Sequence, residues 1–458
     1  MEKLSVVILC ILINICGVNS QSVPAFSKGD RVVFVGNSIT CGGHYHSYIW
    51  LYYMTRFPDQ RIDVFNEGIG GDVAKMMSLR LDKVFEHKPT VVTLSFGMND
   101  VGYMDYTNPA NEATGRNNVE TACNDYKLIE AEYKRYPSVK KILIGSSPYD
   151  ETSHFNEVAF PGKNKLIENI VDFMQQRAKA NKWGFIDFNR SMVAINKREQ
   201  HADPAFTLCG RDRIHPSTNG HLVMAYVFLK AQGFVNKPVA DVRINISDKS
   251  VKRSDNCRIS DLSVSPQGIS FTYKANALPF PIDSSYYDNE KHTQADALKV
   301  IPFMDEMNYE GLSVSGLPDG YYLLKIEGEG IGRFTAGGLS RGINLALYGN
   351  TPQNKQAQQI RIMNEERWFM ERQMREYYWM EYNLMRKTNM LWASNEAAVD
   401  TLRKYRVSDP FVRMNTDYWL RFMNKGIRED SIKEQQDLVE RIYQSNKPRA
   451  LNVELVKL

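Results

Sequence analysis

The stretch TVVTLSFGMND, residues 90–100, combines a strand-like segment with a polar turn. Residues 90–96 form a nearly continuous run of β-branched and aromatic side chains, which is typical of a strand buried on both faces of a sheet. Such strands occur mainly in parallel sheets that are covered by helices. The turn that follows places Asn99 and Asp100 at the carboxyl end of the strand, where ligands bind in sheets of this kind.

Four further strand-like segments accompany this one, and helix-like stretches lie between them. The predicted strands are 31–35, 61–65, 140–144 and 184–188, and clear helical stretches cover 73–87 and 164–181. Strands that alternate with helices predict a parallel sheet covered by helices on both faces. We therefore expect an α/β domain over residues 25–236, with the loops at the carboxyl ends of its strands gathered at one edge.

The pattern changes after Lys237-Pro238, where alternating apolar and polar residues replace the helical segments. The predicted strands there are 242–246, 259–264, 269–273 and 321–326. Alternation with a period of two predicts an antiparallel β domain, which we place at residues 238–345. A polar, proline-containing insert at about residues 277–297 interrupts it.

Residues 352–458 differ again, because Gln353 to Trp392 contains no Gly or Pro and is rich in Met, Arg, Glu and aromatic residues. This composition predicts one long helix or two. Further helices are predicted at 411–424 and 432–444, the second with Ser431 and Glu434 as a capping box. The aromatic residues allow a sugar-stacking or partner-binding surface, but we favour an amphipathic helix whose aromatic face packs on the protein.

The N-terminus resembles a secretory signal. Glu2 and Lys3 precede an apolar run from Leu4 to Ile15, and small side chains follow at Val18 and Ser20. A span of the bilayer needs about 20 apolar residues, so the run is short for a membrane anchor. We expect residues 1–20 to be a signal peptide, the mature protein to have no membrane span, and its location to be periplasmic or extracellular.

The bulk composition is that of a folded globular protein. The chain has 458 residues, 43% of them hydrophobic and 24% charged, with a formal net charge of +4. Scattered Lys and Arg residues do not indicate a nucleic-acid partner. Four cysteines lie outside the signal, namely Cys41, Cys123, Cys209 and Cys257, and their three possible full pairings stay open. They lack metal-ligand spacing, no metal or organic cofactor is expected, and the oligomeric state is open.

Two short blocks predict a nucleophile and its base. Ser38 lies in Gly36-Asn37-Ser38-Ile39-Thr40, directly after a predicted strand, where a tight turn would expose its hydroxyl. A serine hydroxyl needs an adjacent base before it can attack a carbonyl carbon. The block Asp212-Arg213-Ile214-His215-Pro216 offers His215 as that base, and Asp212 can hold its ring in the right tautomer. Either block alone is also compatible with an ordinary polar loop.

Two other blocks predict donors for an oxyanion. Residues 66–72, Asn-Glu-Gly-Ile-Gly-Gly-Asp, follow a predicted strand, and their glycines let backbone N–H groups approach a ligand closely. Their spacing is not that of the dinucleotide-binding fingerprint. The amide of Asn99 can donate to the same oxyanion. A flexible strand-to-helix turn and a helix cap are the simpler alternatives.

The four blocks together, in this order and at strand ends, strongly resemble those of the SGNH hydrolases, also called GDSL-like lipases and acylhydrolases. The resemblance covers about residues 28–235 and implies a flavodoxin-like three-layer α/β/α fold. It implies that Ser38 is the nucleophile, His215 the base and Asp212 its orienting carboxylate. It further implies an oxyanion hole made of the Ser38 and Gly71 N–H groups and the Asn99 side chain. Asn37 and Ile39 replace the Asp and Leu of Gly-Asp-Ser-Leu, and neither change removes a catalytic group.

Other polar residues near the blocks are expected behind the site or at the surface. These are His44, His46, Asp72, Asp100, Tyr103 and Tyr149. His221 follows His215 on a predicted helix, and we interpret it as structural.

The resemblance indicates the bond that is cleaved more closely than the substrate. We expect a secreted carboxylic ester hydrolase that acts through an acyl-enzyme, and we favour an O-acetylesterase acting on acetylated poly- or oligosaccharides. The apparent export, the appended β domain and the aromatic C-terminal region support that preference by analogy. The alternatives are a general short-chain esterase or lipase-like acylhydrolase, and a non-catalytic glycan-binding protein with a hydrolase fold.

Overall fold

The computed structural model of the protein describes residues 23–102, 112–155, 159–285 and 291–458. The predicted signal peptide and Tyr103 lie outside these residues. None of the described helices is both long and apolar enough to cross a membrane.

A five-stranded parallel sheet with helices forms the first part of the chain and confirms the expected α/β/α fold. Its strand order is β2-β1-β3-β4-β5. The strands are β1 (Arg31–Gly36), β2 (Asp63–Gly68), β3 (Val91–Phe96), β4 (Lys140–Gly145) and β5 (Gly184–Asp187). The helices are α1 (Ser38–Cys41), α2 (Tyr45–Arg56), α3 (Ala74–Ser78), α4 (Leu81–Glu86), α5 (Glu112–Lys134), α6 (Lys163–Asn181), α7 (Phe188–Gln200) and α8 (Thr218–Ala231).

The apolar run that opened the sequence analysis forms strand β3, which is the central strand of this sheet. Val92, Leu94 and Phe96 are fully buried, and β3 pairs in parallel with both β1 and β4. Burying these side chains contributes roughly 1.5–3 kcal/mol each relative to leaving them exposed. The stretch predicted as one helix at 73–87 is divided into α3 and α4, since Arg80 turns inward to pair with Asp72.

The second part of the chain contains two smaller sheets. Their strands are β6 (Ala240–Asn245), β7 (Ser250–Asp255), β8 (Cys257–Ser265), β9 (Gly268–Ala275), β10 (Glu310–Ser315), β11 (Tyr321–Ile326), β12 (Glu329–Thr335) and β13 (Ile343–Asn344). One sheet has the order β13-β10-β6-β7, in which only the β10–β6 pair is parallel. The other sheet is antiparallel, and residues of both sheets share one apolar core.

The predicted polar insert contributes to the core of the first domain. Helices α9 (Gln294–Ala297) and α10 (Phe303–Glu306) lie in this part of the chain, before β10, whereas α11 (Ala336–Arg341) follows β12. Leu278, Phe280 and Ala297 of the insert are buried and belong to the same apolar cluster as β3. The insert therefore joins the β domain to the α/β domain through buried side chains.

The C-terminal region is helical and returns to the β domain at its end. It contains α12 (Pro352–Met380), a π-helical turn (Glu381–Met385), α13 (Glu396–Ser408), α14 (Pro410–Phe422), α15 (Lys425–Ser445) and the strand β14 (Leu451–Lys457). Strand β14 lies between β11 and β9 in the order β12-β11-β14-β9-β8. The sequence analysis placed residues 352–458 together as a helical region and did not predict that β14 pairs with strands of the β domain.

The predicted start of the last helix at Ile432 is wrong. Helix α15 begins at Lys425, where the Asn424 side chain accepts a hydrogen bond from the Gly426 N–H. Ser431 lies within the helix and is buried. Asn is as good an N-cap as Ser, so the earlier cap allows the helix to start about two turns sooner.

The four cysteines left open by the sequence are all free thiols in the structure. Cys41 and Cys209 are buried, while Cys123 and Cys257 are partly exposed. Burial raises the pKa of the Cys123 thiol to about 11, which keeps it protonated near neutral pH.

Candidate active site

The proposed nucleophile lies at the first residue of a helix that follows strand β1. Asn37 caps α1, because its Oδ1 accepts a hydrogen bond of 3.0 Å from the Ile39 N–H. Gly36 leaves no room for a side chain, since an added Cβ would lie 2.2 Å from Thr40 Oγ1. This close turn leaves the Ser38 side chain half-buried at the carboxyl end of β1.

His215 and Asp212 complete a hydrogen-bonded chain with Ser38. The distance from Ser38 Oγ to His215 Nε2 is 2.8 Å, and that from His215 Nδ1 to Asp212 Oδ2 is 2.5 Å. The structure therefore brings together three side chains that the sequence places on two separate loops. The side chains of His215 and Asp212 remain 40% and 44% exposed, so the chain of hydrogen bonds lies at an open surface.

The loop that carries His215 is held by its own backbone. Asp212 Oδ1 accepts hydrogen bonds from the N–H groups of Ile214 and His215, at 2.9 and 3.0 Å. Burial raises the pKa of Asp212, but the hydrogen bond and charge of His215 outweigh burial and leave that pKa below its usual value. An ionised Asp212 can accept a hydrogen bond from the Nδ1–H of His215, which keeps the proton on Nδ1 and leaves Nε2 able to accept the Ser38 proton.

Arg213 anchors this loop to the segment that follows strand β4. It has a left-handed backbone, with φ at 66°, and its side chain is buried. Its Nη1 donates hydrogen bonds to the carbonyl oxygens of Asp150 and Ser153, at 3.0 and 2.9 Å. These contacts connect two strand-end loops, and they fix the position from which His215 faces Ser38.

The predicted oxyanion donors lie on the two neighbouring strand-end loops. Gly71 has φ at 78°, in the region that favours glycine, and an added Cβ there would meet no other atom within 4 Å. The backbone N–H of Gly71 makes no hydrogen bond to another described residue. Asn99 Nδ2 donates to the carbonyl oxygen of Asp72 at 3.0 Å, which places the Asn99 amide beside the Gly71 loop.

Two buried carboxylates tie these loops together. Asp100 accepts from the N–H of Ala74 at 2.7 Å and from that of Gly97 at 2.9 Å, and burial raises its pKa to about 6. Asp72 pairs with Arg80 at 2.7 Å, and Arg80 also donates to the Gly36 carbonyl oxygen at 3.2 Å. Both aspartates therefore lie behind the site, as the sequence analysis expected.

The histidines near the nucleophile loop are also behind the site. His46 is fully buried, and burial lowers its pKa to about 4. His221 is buried on α8, and burial holds its pKa well below its usual value. Both rings are therefore neutral near pH 7, and neither replaces His215 in contact with Ser38.

Helix α12 contacts both the nucleophile loop and the Gly71 loop, which the sequence analysis did not foresee. The contacts are Glu365 with His44 at 2.7 Å, Trp368 Nε1 with the Gly43 carbonyl oxygen at 3.1 Å, Glu371 with the Asn66 N–H at 2.8 Å, Arg375 with Glu67 at 2.9 Å, and the Trp379 ring with Gly70. These five residues recur every three or four positions along α12, which is the period of one helix face. This regular spacing of polar and aromatic residues was the feature of the sequence that could have predicted the contact.

A cavity of about 460 Å³ lies beside this contact and is distinct from the Ser38 site. Its walls come from β2, α12 and α15, and they include Phe65, Glu67, Arg375, Tyr378 and Val439. Neither Ser38 nor His215 lines it, so its size does not make it the catalytic pocket.

The described residues offer no cluster of three or more His, Cys, Asp or Glu side chains that could hold a metal ion.

Two regions of the chain match known families. Residues 34–223 match the GDSL-like Lipase/Acylhydrolase family, and residues 358–447 match the family described as the Diltiazem deacetylase C-terminal helical domain. The first match covers the blocks that carry Ser38 and His215. The second covers most of α12 and the three helices that follow it.

Two individual proteins are similar to this chain. The solved structure of a gut microbial diltiazem-metabolizing enzyme is 42% identical, with a TM-score of 0.93, and the match covers 96% of this chain and 100% of that chain. An acetylxylan esterase from Geobacillus stearothermophilus is 24% identical over 225 residues, which is 45% of this chain and 95% of the relative. The first likeness extends through all three parts of the molecule, whereas the second has about the length of the α/β domain.

Proposed function

The chain belongs to the GDSL-like lipase/acylhydrolase family of SGNH hydrolases and is an ester-hydrolysing serine hydrolase, and from that premise we propose that it removes acetyl groups from hydroxyl groups through an acyl-enzyme on Ser38. The hydrogen-bonded chain from Ser38 Oγ through His215 to Asp212, with distances of 2.8 and 2.5 Å, is the observation that carries this proposal.

In the proposed mechanism, Ser38 Oγ attacks the ester carbonyl carbon while its proton passes to His215 Nε2. The negative charge moves to the carbonyl oxygen, where the N–H groups of Ser38 and Gly71 and the Asn99 amide donate to it. The intermediate then collapses, the bond from the carbonyl carbon to the alcohol oxygen breaks, and His215 protonates the departing alcohol. Asp212 stabilises the positive charge that His215 carries between these steps.

The second half of the reaction restores the serine. Water gives a proton to His215 Nε2 and attacks the acyl carbon, so that a second tetrahedral intermediate forms in the same oxyanion hole. Its collapse breaks the bond to Ser38 Oγ, returns the proton to that oxygen and releases acetic acid. No redox step is involved.

We propose acetylated oligo- or polysaccharides as the substrate class. The open surface around His215 and Asp212 supports this, because a chain-like substrate can approach an exposed site from one side. Helix α12 provides further surface beside the Gly71 loop, and the similarity to an acetylxylan esterase points in the same direction.

Acetyl esters of ring-bearing small molecules, such as diltiazem, are a second candidate substrate class. The specific observation that favours them is the 42% identity to a diltiazem-metabolizing enzyme, which covers 96% of this chain and includes the C-terminal helices. Both classes share the acetyl group and differ in the alcohol.

Released acetate, measured for wild type and Ser38→Ala, tests the proposal. The substrates are acetylated xylo-oligosaccharides, diltiazem, and 4-nitrophenyl esters with acyl chains of two to twelve carbons. We expect acetate from acetyl esters with wild type, little hydrolysis of the longest chains, and a loss with Ser38→Ala of roughly 10⁴–10⁶-fold in kcat. Retained activity in a folded Ser38→Ala protein would remove Ser38 from the mechanism. Preference for long chains would indicate a lipase-like enzyme instead.

We also propose that the protein is exported, on the basis of the cationic start and apolar run in residues 1–20. Activity should be recovered outside the cytoplasm of an expressing cell. Replacing Leu9 and Leu12 with Asp should retain the activity inside, because charges interrupt the apolar run. Equal cytoplasmic activity for both forms would contradict export.

A further inference from the structure

One aromatic side chain from the C-terminal region lies directly beside the proposed oxyanion hole. An added Cβ on Gly70 would lie 3.3 Å from Trp379 Cδ1 and 3.5 Å from Trp379 Nε1, so the indole lies over the side of Gly70 where a side chain would project. The next residue is Gly71, whose N–H is a proposed oxyanion donor. The Trp379 ring therefore lies against the residue that precedes this proposed donor.

The indole of Trp379 is available to a ligand, in contrast to three other tryptophans. Trp50, Trp368 and Trp419 are buried, and each donates its Nε1–H to a protein acceptor. Trp379 is only half-buried, and its Nε1–H donates to no residue in the described parts of the chain. Part of the indole packs against the apolar cluster of the C-terminal helices, and the remainder keeps an unused Nε1–H beside Gly70.

A second aromatic ring extends this surface. Phe411 of α14 has its ring centroid 6.1 Å from that of Trp379, with a tilt of 40° between the rings. Phe411 is 59% exposed, although it follows Pro410 in the first turn of a well-capped helix. We call these two residues, Trp379 and Phe411, the aromatic wall.

Only the alcohol portion of an acetyl ester is long enough to reach the aromatic wall. The acetyl group ends one bond beyond the carbonyl carbon, whereas successive residues such as Gly71 and Gly70 are about 3.8 Å apart at their Cα atoms. Trp379 lies against Gly70, the residue before Gly71. A flat apolar ring on the alcohol could stack on the indole at a centroid distance of about 4.5–7 Å.

We propose that Trp379 is a specificity-determining residue that contacts the alcohol portion of the ester and selects alcohols with a flat apolar ring face, either an aryl ring or the C–H face of a sugar. The inference rests on the proposed function and adds the part of the substrate that this chain recognises. It also gives the C-terminal helices a direct role in substrate recognition, which the α/β domain alone would not provide.

Steady-state kinetics of Trp379→Ala and Trp379→Phe test the inference. The substrates are ethyl acetate, which has no ring, phenyl acetate, and a 2-O-acetylated methyl xyloside. For Trp379→Ala we expect KM for the two ring-bearing esters to rise about three- to tenfold, with kcat within twofold and ethyl acetate unchanged, because binding equal in ground and transition states affects KM alone. Trp379→Phe should restore most of the affinity. A rise limited to phenyl acetate, or to the xyloside, identifies which ring is recognised.

Tyr321→Ala is the matched control, because Tyr321 is a 55% exposed aromatic residue on β11 in the β domain. It should leave all three substrates unaffected. Melting temperatures are measured first, and Trp379→Leu replaces Trp379→Ala if the latter is unfolded at the assay temperature.

Equal losses on ethyl acetate and the ring-bearing esters would overturn the inference, since they would show that Trp379 only supports the Gly70 backbone. Unchanged kinetics on every substrate would overturn it as well. These outcomes differ from a failure of the proposed function, which would appear as retained activity in Ser38→Ala while the Trp379 ratios could still be measured.

Discussion

The Asp212–His215 pair of the active site and the Glu67–Arg375 pair next to the Gly71 loop lie in opposite surroundings. Asp212 and His215 are three residues apart on one loop, with side chains 44% and 40% exposed. Glu67 and Arg375 come from two distant parts of the chain and are 5% and 7% exposed. The exposed pair can exchange protons with substrate and water, whereas the buried pair holds the C-terminal helix against the Gly71 loop.

The difference shows that one active site can divide its charges between chemistry and support. Exposed ion pairs contribute about 0–1 kcal/mol to stability, so Asp212 and His215 can be removed with little effect on folding. Breaking a buried pair leaves an uncompensated charge in a medium of low dielectric. We therefore expect mutations at the first pair to affect mainly kcat, and mutations at the second to affect mainly the free energy of unfolding.

The largest expected effect is that of His215→Ala. It removes the general base and should lower kcat by roughly 10⁴–10⁶-fold, as measured by acetate release. The melting temperature should stay within a few degrees of wild type, because the side chain is 40% exposed. A large fall in melting temperature would show that the exposed pair also supports the fold, and the contrast between the two pairs would then disappear.

Arg375→Met should destabilise the protein by about 3–5 kcal/mol, because it leaves Glu67 buried without its main partner. Urea unfolding, monitored by tryptophan fluorescence, measures the change. Arg403→Met serves as the control, since Arg403 and its partner Asp400 are 68% and 64% exposed, and it should cost less than about 1 kcal/mol. Similar losses for both variants would contradict the assigned role of Arg375.

Asn99→Ala should lower kcat by about 10²–10³-fold, or about 2.7–4 kcal/mol of transition-state stabilisation, through loss of one oxyanion donor. KM should change little, because the donor acts mainly on the charge that develops in the transition state. Stopped assays at saturating substrate give kcat directly. A rise in KM alone would indicate that Asn99 contacts the substrate rather than the oxyanion.

Acid should weaken the buried Glu67–Arg375 pair, because protonation of Glu67 removes the negative charge. Burial raises the pKa of Glu67, but Arg375, His87 and Arg80 outweigh burial and hold this pKa at about 2, below the model-compound value of 4.5. A depressed pKa contributes stability that is fully present above the unfolded value and is lost as pH falls from about 4.5 through about 2. The contribution is about 3 kcal/mol by the usual conversion of pKa shifts.

The variant Glu67→Gln separates the contribution of the Glu67 charge to the free energy of unfolding from the contributions of the other carboxylates. At pH 7 the variant should be less stable than wild type by about 3 kcal/mol, and the gap should narrow as pH falls towards 2. Urea titrations at several pH values measure the gap. A gap independent of pH would show that Glu67 contributes through packing rather than charge.

Much of the fold and of the site's composition could be predicted because the relevant signals are local. The run at 90–96 identified a buried strand, and the Gly-Asn-Ser and Asp-x-x-His blocks identified side chains that the structure brings within hydrogen-bond distance. Helix starts were less certain, since Asn424 and Ser431 are both good caps and only packing decides between them. The return of β14 to the β domain also left no local signal, because any strand of alternating residues could fill that place.

The sequence by itself determined the parallel sheet, the four blocks at its strand ends and the order in which they occur, since hydrophobic periodicity and turn chemistry act over a few residues. Only the tertiary structure decided that α12 contacts His44 and Glu67 and that its Trp379 lies beside Gly70. Such contacts join segments far apart in the chain, and their energy depends on complementary shape and charge at one point in space. A linear pattern of residues does not carry that information.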